Sequence, residues 1–195
     1  MTSKGVILYG PPTSGKDTVT AELARQDDRY ALLPKLKTGT GRSTGYRHVS
    51  PTELETLRRA GRLVVETHRY GNVYAIDHHD IAALVDDGRI PVVHIGNLAD
   101  LERLHNTVPL AWTNVLLWVS REVCADRSRH RGDADTPSRL QAWDETLHDL
   151  QSTDAQPFNL AIRTDQAEPA ETARRIAAAV AAGPGPGVPV LPVIT

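Results

Sequence analysis

The stretch Val6-Ile7-Leu8-Tyr9-Gly10-Pro11-Pro12-Thr13-Ser14-Gly15-Lys16-Asp17-Thr18 decides how this chain is read. Four consecutive apolar residues read as a buried strand, which Gly10 and two prolines end. A helix is expected from about Gly15 to Arg25, with Val19, Leu23 and Ala24 facing inward. Between the two lies the spacing G-x-x-x-x-G-K, in the strand–loop–helix context that gives it meaning. Glycines let backbone N–H groups curl round phosphate oxygens, and the helix N-terminus adds partial positive charge. Gly10, Pro11, Pro12, Thr13, Ser14, Gly15, Lys16, Asp17 and Thr18 are therefore the expected ATP-binding residues, Lys16 serving the β/γ-phosphates as a point charge. Asp17 stands where Ser or Thr usually helps to hold Mg²⁺, and the hydroxyl follows at Thr18. Both are candidate metal residues, Asp17 orienting the ion directly or through water and Thr18 touching a phosphate. The alternative for Asp17 is a favourable place in the helix dipole and nothing more.

Outward from this loop, strands and helices alternate. A strand around Tyr30–Leu36 leads into the turn-rich Thr38–Gly45, which reads as a ligand-facing loop. Ser50-Pro51-Thr52-Glu53 is a capping box opening a helix with Leu54, Leu57 and Ala60, closed by Gly61. Strands are expected at Leu63–Thr67 and Asn72–Ile76, and a helix capped by Asp77 through Val85. Ile90–Ile95 is a buried strand by its continuous apolar character, followed by a helix over Leu98–His105 and a strand at Val115–Val119. Ser120 caps the next helix, the charged run Arg127–Asp135 interrupts, and Thr136-Pro137 opens another helix to about Leu150. A strand at Leu160–Arg163 and an Ala-rich helix from about Pro169 to Ala182 complete the pattern. The alternation predicts an α/β fold, a parallel sheet flanked by helices, over residues 1–182. Residues 183–195, rich in Pro and Gly, read as a mobile tail.

With 195 residues, one domain with a sufficient core is expected. Lys and Arg number 22 against 24 Asp and Glu, so a generally basic nucleic-acid binder is excluded. The lone Cys124 rules out an internal disulfide framework and reads as a small buried helix residue. No apolar run approaches the roughly 20 residues that span a bilayer, and Met1–Gly5 lacks a signal-peptide profile. A cytoplasmic monomer or homodimer is expected. The neighbours His78 and His79 do not share a helix face and make a poor chelate. His94, at a strand end beside the loop, is either an acceptor contact or a structural hydrogen-bonder. The three tryptophans read as packing residues.

Taken in order, these pieces resemble the guanylate kinase family of nucleoside monophosphate kinases, over roughly Lys4 to Asp165. Besides the P-loop, Tyr46-Arg47-His48-Val49-Ser50 with Gly61-Arg62-Leu63 looks like the family's Tyr-x-Phe-Val-Ser segment and its Gly-Glu-Phe continuation. Glu66 with Gly71-Asn72-Val73-Tyr74 resembles the Glu…Gly-Asn-Tyr-Tyr-Gly segment, with Glu66 one residue nearer to the glycine. Arg127, Arg131-Gly132 and Arg139-Leu140 look like the arginine-bearing lid and the helix after it. The resemblance implies an acceptor-binding insertion near residues 35–76, a lid near 128–137, and transfer of the ATP γ-phosphate to a phosphate on a small acceptor. Lys16, Arg127, Arg131 and Arg139 are then the candidate catalytic residues; arginine suits the role because its planar fork holds phosphate oxygens bidentately. Lys35, Lys37, Arg42, Tyr46, Glu66, Tyr74 and His94 are the candidate acceptor contacts. Where the family has Asp-x-Asp this chain has His94-Ile95-Gly96, which leaves the base open. Ribose 1,5-bisphosphate phosphokinase, a relative sharing the Gly-Lys-Asp-hydroxyl loop, is the alternative resemblance. A kinase for an unusual nucleotide is equally permitted, and a non-catalytic guanylate-kinase-like binding module is the remaining class.

Overall fold

Val6, Ile7, Leu8 and Tyr9 are all fully buried, and strand alternation sends them to opposite faces. Ile7 and Tyr9 join one apolar cluster, Val6 and Leu8 another. A strand buried on both faces needs helices on both. That is the architecture of the computed structural model, which describes residues 2–41, 43–69, 71–132, 135–153 and 155–195.

In chain order the strands are β1 (Lys4–Tyr9), β2 (Tyr30–Leu32), β3 (Lys35–Thr38), β4 (Tyr46–His48), β5 (Leu63–Arg69), β6 (Asn72–Asp77), β7 (Ile90–Ile95), β8 (Ala111–Trp118) and β9 (Leu160–Arg163). The helices are α1 (Lys16–Gln26), α2 (Pro51–Arg59), α3 (His78–Asp86), α4 (Leu98–Thr107), α5 (Arg121–His130), α6 (Thr136–Gln151), α7 (Pro169–Ala182) and the short α8 (Leu191–Ile194). Five strands form a parallel sheet in the order β2-β7-β1-β8-β9. Val19 and Leu23 of α1 and Ala173, Ile176 and Val180 of α7 cover the Val6/Leu8 face. Leu101 and Leu104 of α4, Cys124 of α5 and Trp143 and Leu150 of α6 cover the other. The expected α/β fold is the one found.

One expected strand splits in two. β2 stays in the main sheet, where the Leu33 N–H still donates to the Val92 carbonyl at 2.9 Å. Pro34 has no N–H to continue the ladder, and β3 begins a second sheet in the order β4-β3-β6-β5. This sheet, residues 35–77, stands where the small insertion was expected. β4 is an addition: a short, partly exposed edge strand paired in parallel with β3, directly after the turn-rich stretch Thr38–Gly45.

Of the segment near 128–137, expected to be a lid, residues 128–130 belong to α5 and 136–137 to α6, and Ser128, fully buried, hydrogen-bonds Thr136 at 2.9 Å. Between the two helices Asp133 and Ala134 lie outside the described residues. The chain after Gly183, expected to be mobile, packs back on the domain. Val188 N–H donates to the Phe158 carbonyl at 2.8 Å, and Val190 and Ile194 join the core cluster. Apolar residues at the end of a Pro/Gly stretch outweigh its backbone freedom once they find a buried seat.

Candidate active site

The loop after β1 is held by its carbonyls. Lys16 Nζ donates to the carbonyls of Gly10 at 2.7 Å and Pro11 at 2.8 Å. The Cys124 thiol donates to Pro12 O at 3.4 Å, Arg127 Nη1 to Thr13 O at 3.1 Å, and the Thr164 hydroxyl to Ser14 O at 2.9 Å. Every carbonyl from Gly10 to Ser14 is thus occupied by the protein, and the Ser14 N–H donates to the Pro11 carbonyl at 3.4 Å. Gly10 has φ +149°, and a Cβ there would lie 2.1 Å from the Leu117 carbonyl oxygen, so only glycine fits. Thr13, at φ 58°, is the one positive-φ residue other than glycine among the described residues, a strain of the kind binding loops carry.

Helix α1 leaves this loop without a cap. Ser50, Asp77, Asn97 and Ser120 each cap a helix through a side-chain oxygen, whereas Gly15, at φ 88°, offers none to α1, and α6 and α7 likewise start without a side-chain cap. The first-turn N–H groups of α1 therefore remain for an anion, supported by the helix dipole.

Beside the loop a cavity of about 240 Å³ opens at the carboxyl ends of β1 and β7, where ligands of open α/β sheets bind. Lys16, Lys35, Arg69, Arg131 and Arg139 line it, and Asp17 is the only carboxylate among its described lining residues. Burial pushes the Lys16 ammonium down to about 7, against the pull of Asp17, and Lys35 down to about 8, against that of Asp100. Tyr46 and Tyr74 form one wall with ring centroids 5.3 Å apart. Lys37, buried, sits behind them with Nζ 5.4 Å and 5.7 Å from the two rings, a cation–π arrangement that supports the wall.

At the end of β7 the Thr20 hydroxyl lies 2.8 Å from His94 Nε2, and His94 Nδ1 lies 3.7 Å from Asp17 Oδ1. Two residues further on, Gly96 makes room for a cation: an added Cβ would stand 3.3 Å from Arg69 Nη1. The strand end that carries acids in the resembled family thus faces a guanidinium here.

Of the expected residues, the cavity brings together Gly10, Pro12 through Asp17, Lys35, Tyr46, Tyr74, His94, Arg131 and Arg139. Others stand elsewhere. Thr18 and Arg127 line a second cavity of about 230 Å³ on the far side of Gly15, bounded by Thr164 and Thr172. Asp17 lines the first cavity and Thr18 the second. Arg127 is spent on Thr13 O and on the hydroxyl and carbonyl of Thr164, tying α5 to the loop. Glu66 points away from the cavity. Arg58 donates to its carboxylate at 2.9 Å and 3.0 Å and holds it below the usual carboxylate range, with His68 adding to the effect. Arg42 lies outside the described residues. Thr67, Arg69 and Asn97 enter the cavity unannounced. Asp100 accepts from Thr67 and from Asn97 at 2.6 Å each, and Glu145 accepts from Arg69 at 2.9 Å. Strand alternation from Val65 puts Thr67 and Arg69 on one face and Glu66 on the other, which is the signal that could have found them.

A five-stranded parallel sheet with a glycine loop between its central strand and first helix defines an α/β fold of the P-loop type. No protein-family model matches the chain, and no curated protein matches its sequence. Among solved structures it resembles a guanylate kinase from Anaplasma phagocytophilum at 17% identity, covering 93% of this chain and 86% of that one, with a TM-score of 0.65. A sugar kinase from a Janibacter species is similar at 16% identity, with 90% and 92% covered and a TM-score of 0.52. A gluconokinase from Sinorhizobium meliloti is similar at 19% identity, with 93% of each chain covered and a TM-score of 0.50. These likenesses establish the fold.

The residues present fit a nucleotide. The loop's N–H groups and Lys16 suit a chain of phosphates, and the fully buried Thr172 hydroxyl, lining the second cavity, is the one buried side-chain polar atom without a partner among the described residues. They also fit a divalent ion held jointly with phosphate oxygens. No group of three or more metal-binding side chains occurs among the described residues, and Mg²⁺ on phosphates needs only one or two carboxylates. No helix among them is long and apolar enough to cross a membrane.

Proposed function

We propose that the protein is a phosphotransferase that moves the γ-phosphate of ATP onto a phosphate carried by a small acceptor. The observation that carries this reading is the charge of the cavity, five basic side chains against the single carboxylate of Asp17. Two phosphates brought to bonding distance repel each other, and the reaction between them is governed by positioning and by fixed positive charge. Transfer to a hydroxyl would need a group to take its proton. An acceptor phosphate is ionised already at neutral pH and needs no such group.

The loop N–H groups and Lys16 hold the ATP phosphates, with the nucleoside directed to the second cavity beside Arg127 and Thr172. Arg131 and Arg139, from the end of α5 and the start of α6, meet the transferring group. Lys35 and Arg69 grip the acceptor phosphate against the tyrosine wall. Asp17 is the residue to hold Mg²⁺, which when bound supplies neutralisation of phosphate charge. Arg131 and Arg139 also close over the reacting groups and limit loss of the phosphate to water.

A nucleoside monophosphate is the first acceptor to consider, because Tyr46 and Tyr74 offer an aromatic wall. A sugar phosphate such as ribose 1,5-bisphosphate is favoured by one observation: Glu66 is turned to Arg58, so it is not available to read a base edge. ADP release is the test, measured over the common nucleoside monophosphates, ribose 1,5-bisphosphate and gluconate. Turnover with a phosphorylated acceptor is expected; turnover with gluconate alone would overturn the reading.

A further inference from the structure

We propose that Thr67 and Asn97 read a hydroxyl on the sugar of the acceptor, with Asp100 holding both in place. The site deepens the transfer reading above and rests on it, since the acceptor phosphate is there held against Lys35.

Thr67, from β5, and Asn97, at the start of α4, both line the cavity. Behind them the buried Asp100 receives the Thr67 hydroxyl and the Asn97 amide nitrogen on one oxygen, Oδ2, at 2.6 Å each. Its other oxygen, Oδ1, has Arg103 Nη1 at 3.9 Å. A carboxylate only accepts, so the one hydrogen of the Thr67 hydroxyl is committed to Asp100 and its lone pairs remain. The Asn97 amide is oriented from its other end. Its Oδ1 caps α4 by accepting the Asp100 N–H at 2.8 Å, which leaves Nδ2 one hydrogen for Asp100 and one more to give.

This wall thus offers one acceptor beside one donor. Both atoms lie 2.6 Å from the same oxygen, so they stand no more than about 5 Å apart. A ligand hydroxyl about 2.8 Å from each spans that gap, donating to Thr67 Oγ1 and accepting from Asn97 Nδ2. A base edge is read bidentately by an amide that turns both its oxygen and its nitrogen to the ligand. Asn97 has spent its oxygen on the helix cap, and Glu66 is held by Arg58. Placement agrees with the chemistry. Burial lowers the Lys35 ammonium and the charge of Asp100 opposes it, so the two groups are neighbours. The hydroxyl is therefore read close to the acceptor phosphate, where the groups of a sugar phosphate or a nucleotide belong to the sugar.

Calorimetry on the full chain is the test, with ribose 1,5-bisphosphate, GMP and the 2-deoxy and 3-deoxy forms of each, and ADP release from ATP is followed beside it. One deoxy form is expected to bind at least about 100-fold more weakly than its parent, because it leaves a buried donor and acceptor unpaired. A preference confined to the bisphosphate series assigns a free sugar phosphate, and one confined to the GMP series a nucleotide. In Thr67→Val the parent is expected to fall to within about tenfold of its deoxy form, whose own affinity holds, and Thr67→Ser restores the preference. A purely structural role would weaken both ligands alike, and that result overturns the assignment. Asp100→Ala is expected to lose the preference and Asp100→Asn, which keeps an accepting oxygen, to retain it. Binding and turnover with no hydroxyl preference overturn the hydroxyl site and leave phosphate transfer standing. A preference in binding with no ADP released overturns the transfer and leaves the site. Binding of none of the six ligands overturns both.

Discussion

Lys16 Nζ is folded back on its own loop, 2.7 Å from the Gly10 carbonyl. Burial lowers its ammonium to about 7 and that of Lys35 to about 8. Between those values and about 10.4, the unfolded chain keeps protons that the folded one has released, so the stability of the ligand-free protein rises with pH through this window. Below pH 7 both states are charged and the cost of burial is fully present. Denaturant midpoints followed from pH 6.5 to 9.5 are expected to climb, and to climb less in Lys16→Met. Phosphates arriving at the loop restore the Lys16 charge. Calorimetry of ATP binding at pH 8 is therefore expected to show uptake of close to one proton, lost in Lys16→Met; an enthalpy independent of buffer would contradict it.

The arginines separate by position. Arg131 and Arg139 line the cavity, so Arg131→Ala is expected to lower kcat about 100-fold with acceptor KM changed by less than about threefold. Arg127 is bonded to Thr13 and Thr164. Its alanine variant is expected to lower thermal stability and weaken ATP binding first. Steady-state kinetics beside a melting curve distinguishes the two patterns.

Glu66 is expected to be dispensable for acceptor choice. In Glu66→Gln the specificity constants across acceptors keep their order, and stability falls by less than about 1 kcal/mol, because the Arg58 pair is partly exposed. A variant that changes its preferred acceptor would put Glu66 back in the site.

The last residues carry stability. A chain ending at Gly187 loses Val190 and Ile194 from the core, and is expected to be destabilised by about 2–5 kcal/mol, read from its denaturant midpoint. An unchanged midpoint would mean that the tail adds nothing.

The sequence speaks most clearly where one local rule acts alone. β1, the loop, α1 and the capped helices follow from apolar runs, glycines and capping side chains, and the strands Ile90–Ile95 and Leu160–Arg163 lie where the pattern predicts. Legibility ends where a choice depends on partners distant in sequence. Pro34 divides one apolar stretch between two sheets, and nothing local announces the second. The family likeness points to Glu66, but its spacing to Gly71 is one residue short, and in a strand one residue exchanges the faces. Arg69 and Thr67 take the inward positions in consequence. The tail misleads because its Pro/Gly composition is local, whereas the seats of Val190 and Ile194 are made by the rest of the core.

The central claim is transfer between phosphates, and the direct measurement follows the label from [γ-³²P]ATP in the presence of phosphorylated acceptors. The account predicts label on the acceptor's phosphate as a new phosphoanhydride, dependent on a divalent ion and absent in Lys16→Ala, which still folds. Label found only as inorganic phosphate, or on a hydroxyl of an unphosphorylated sugar, would contradict it.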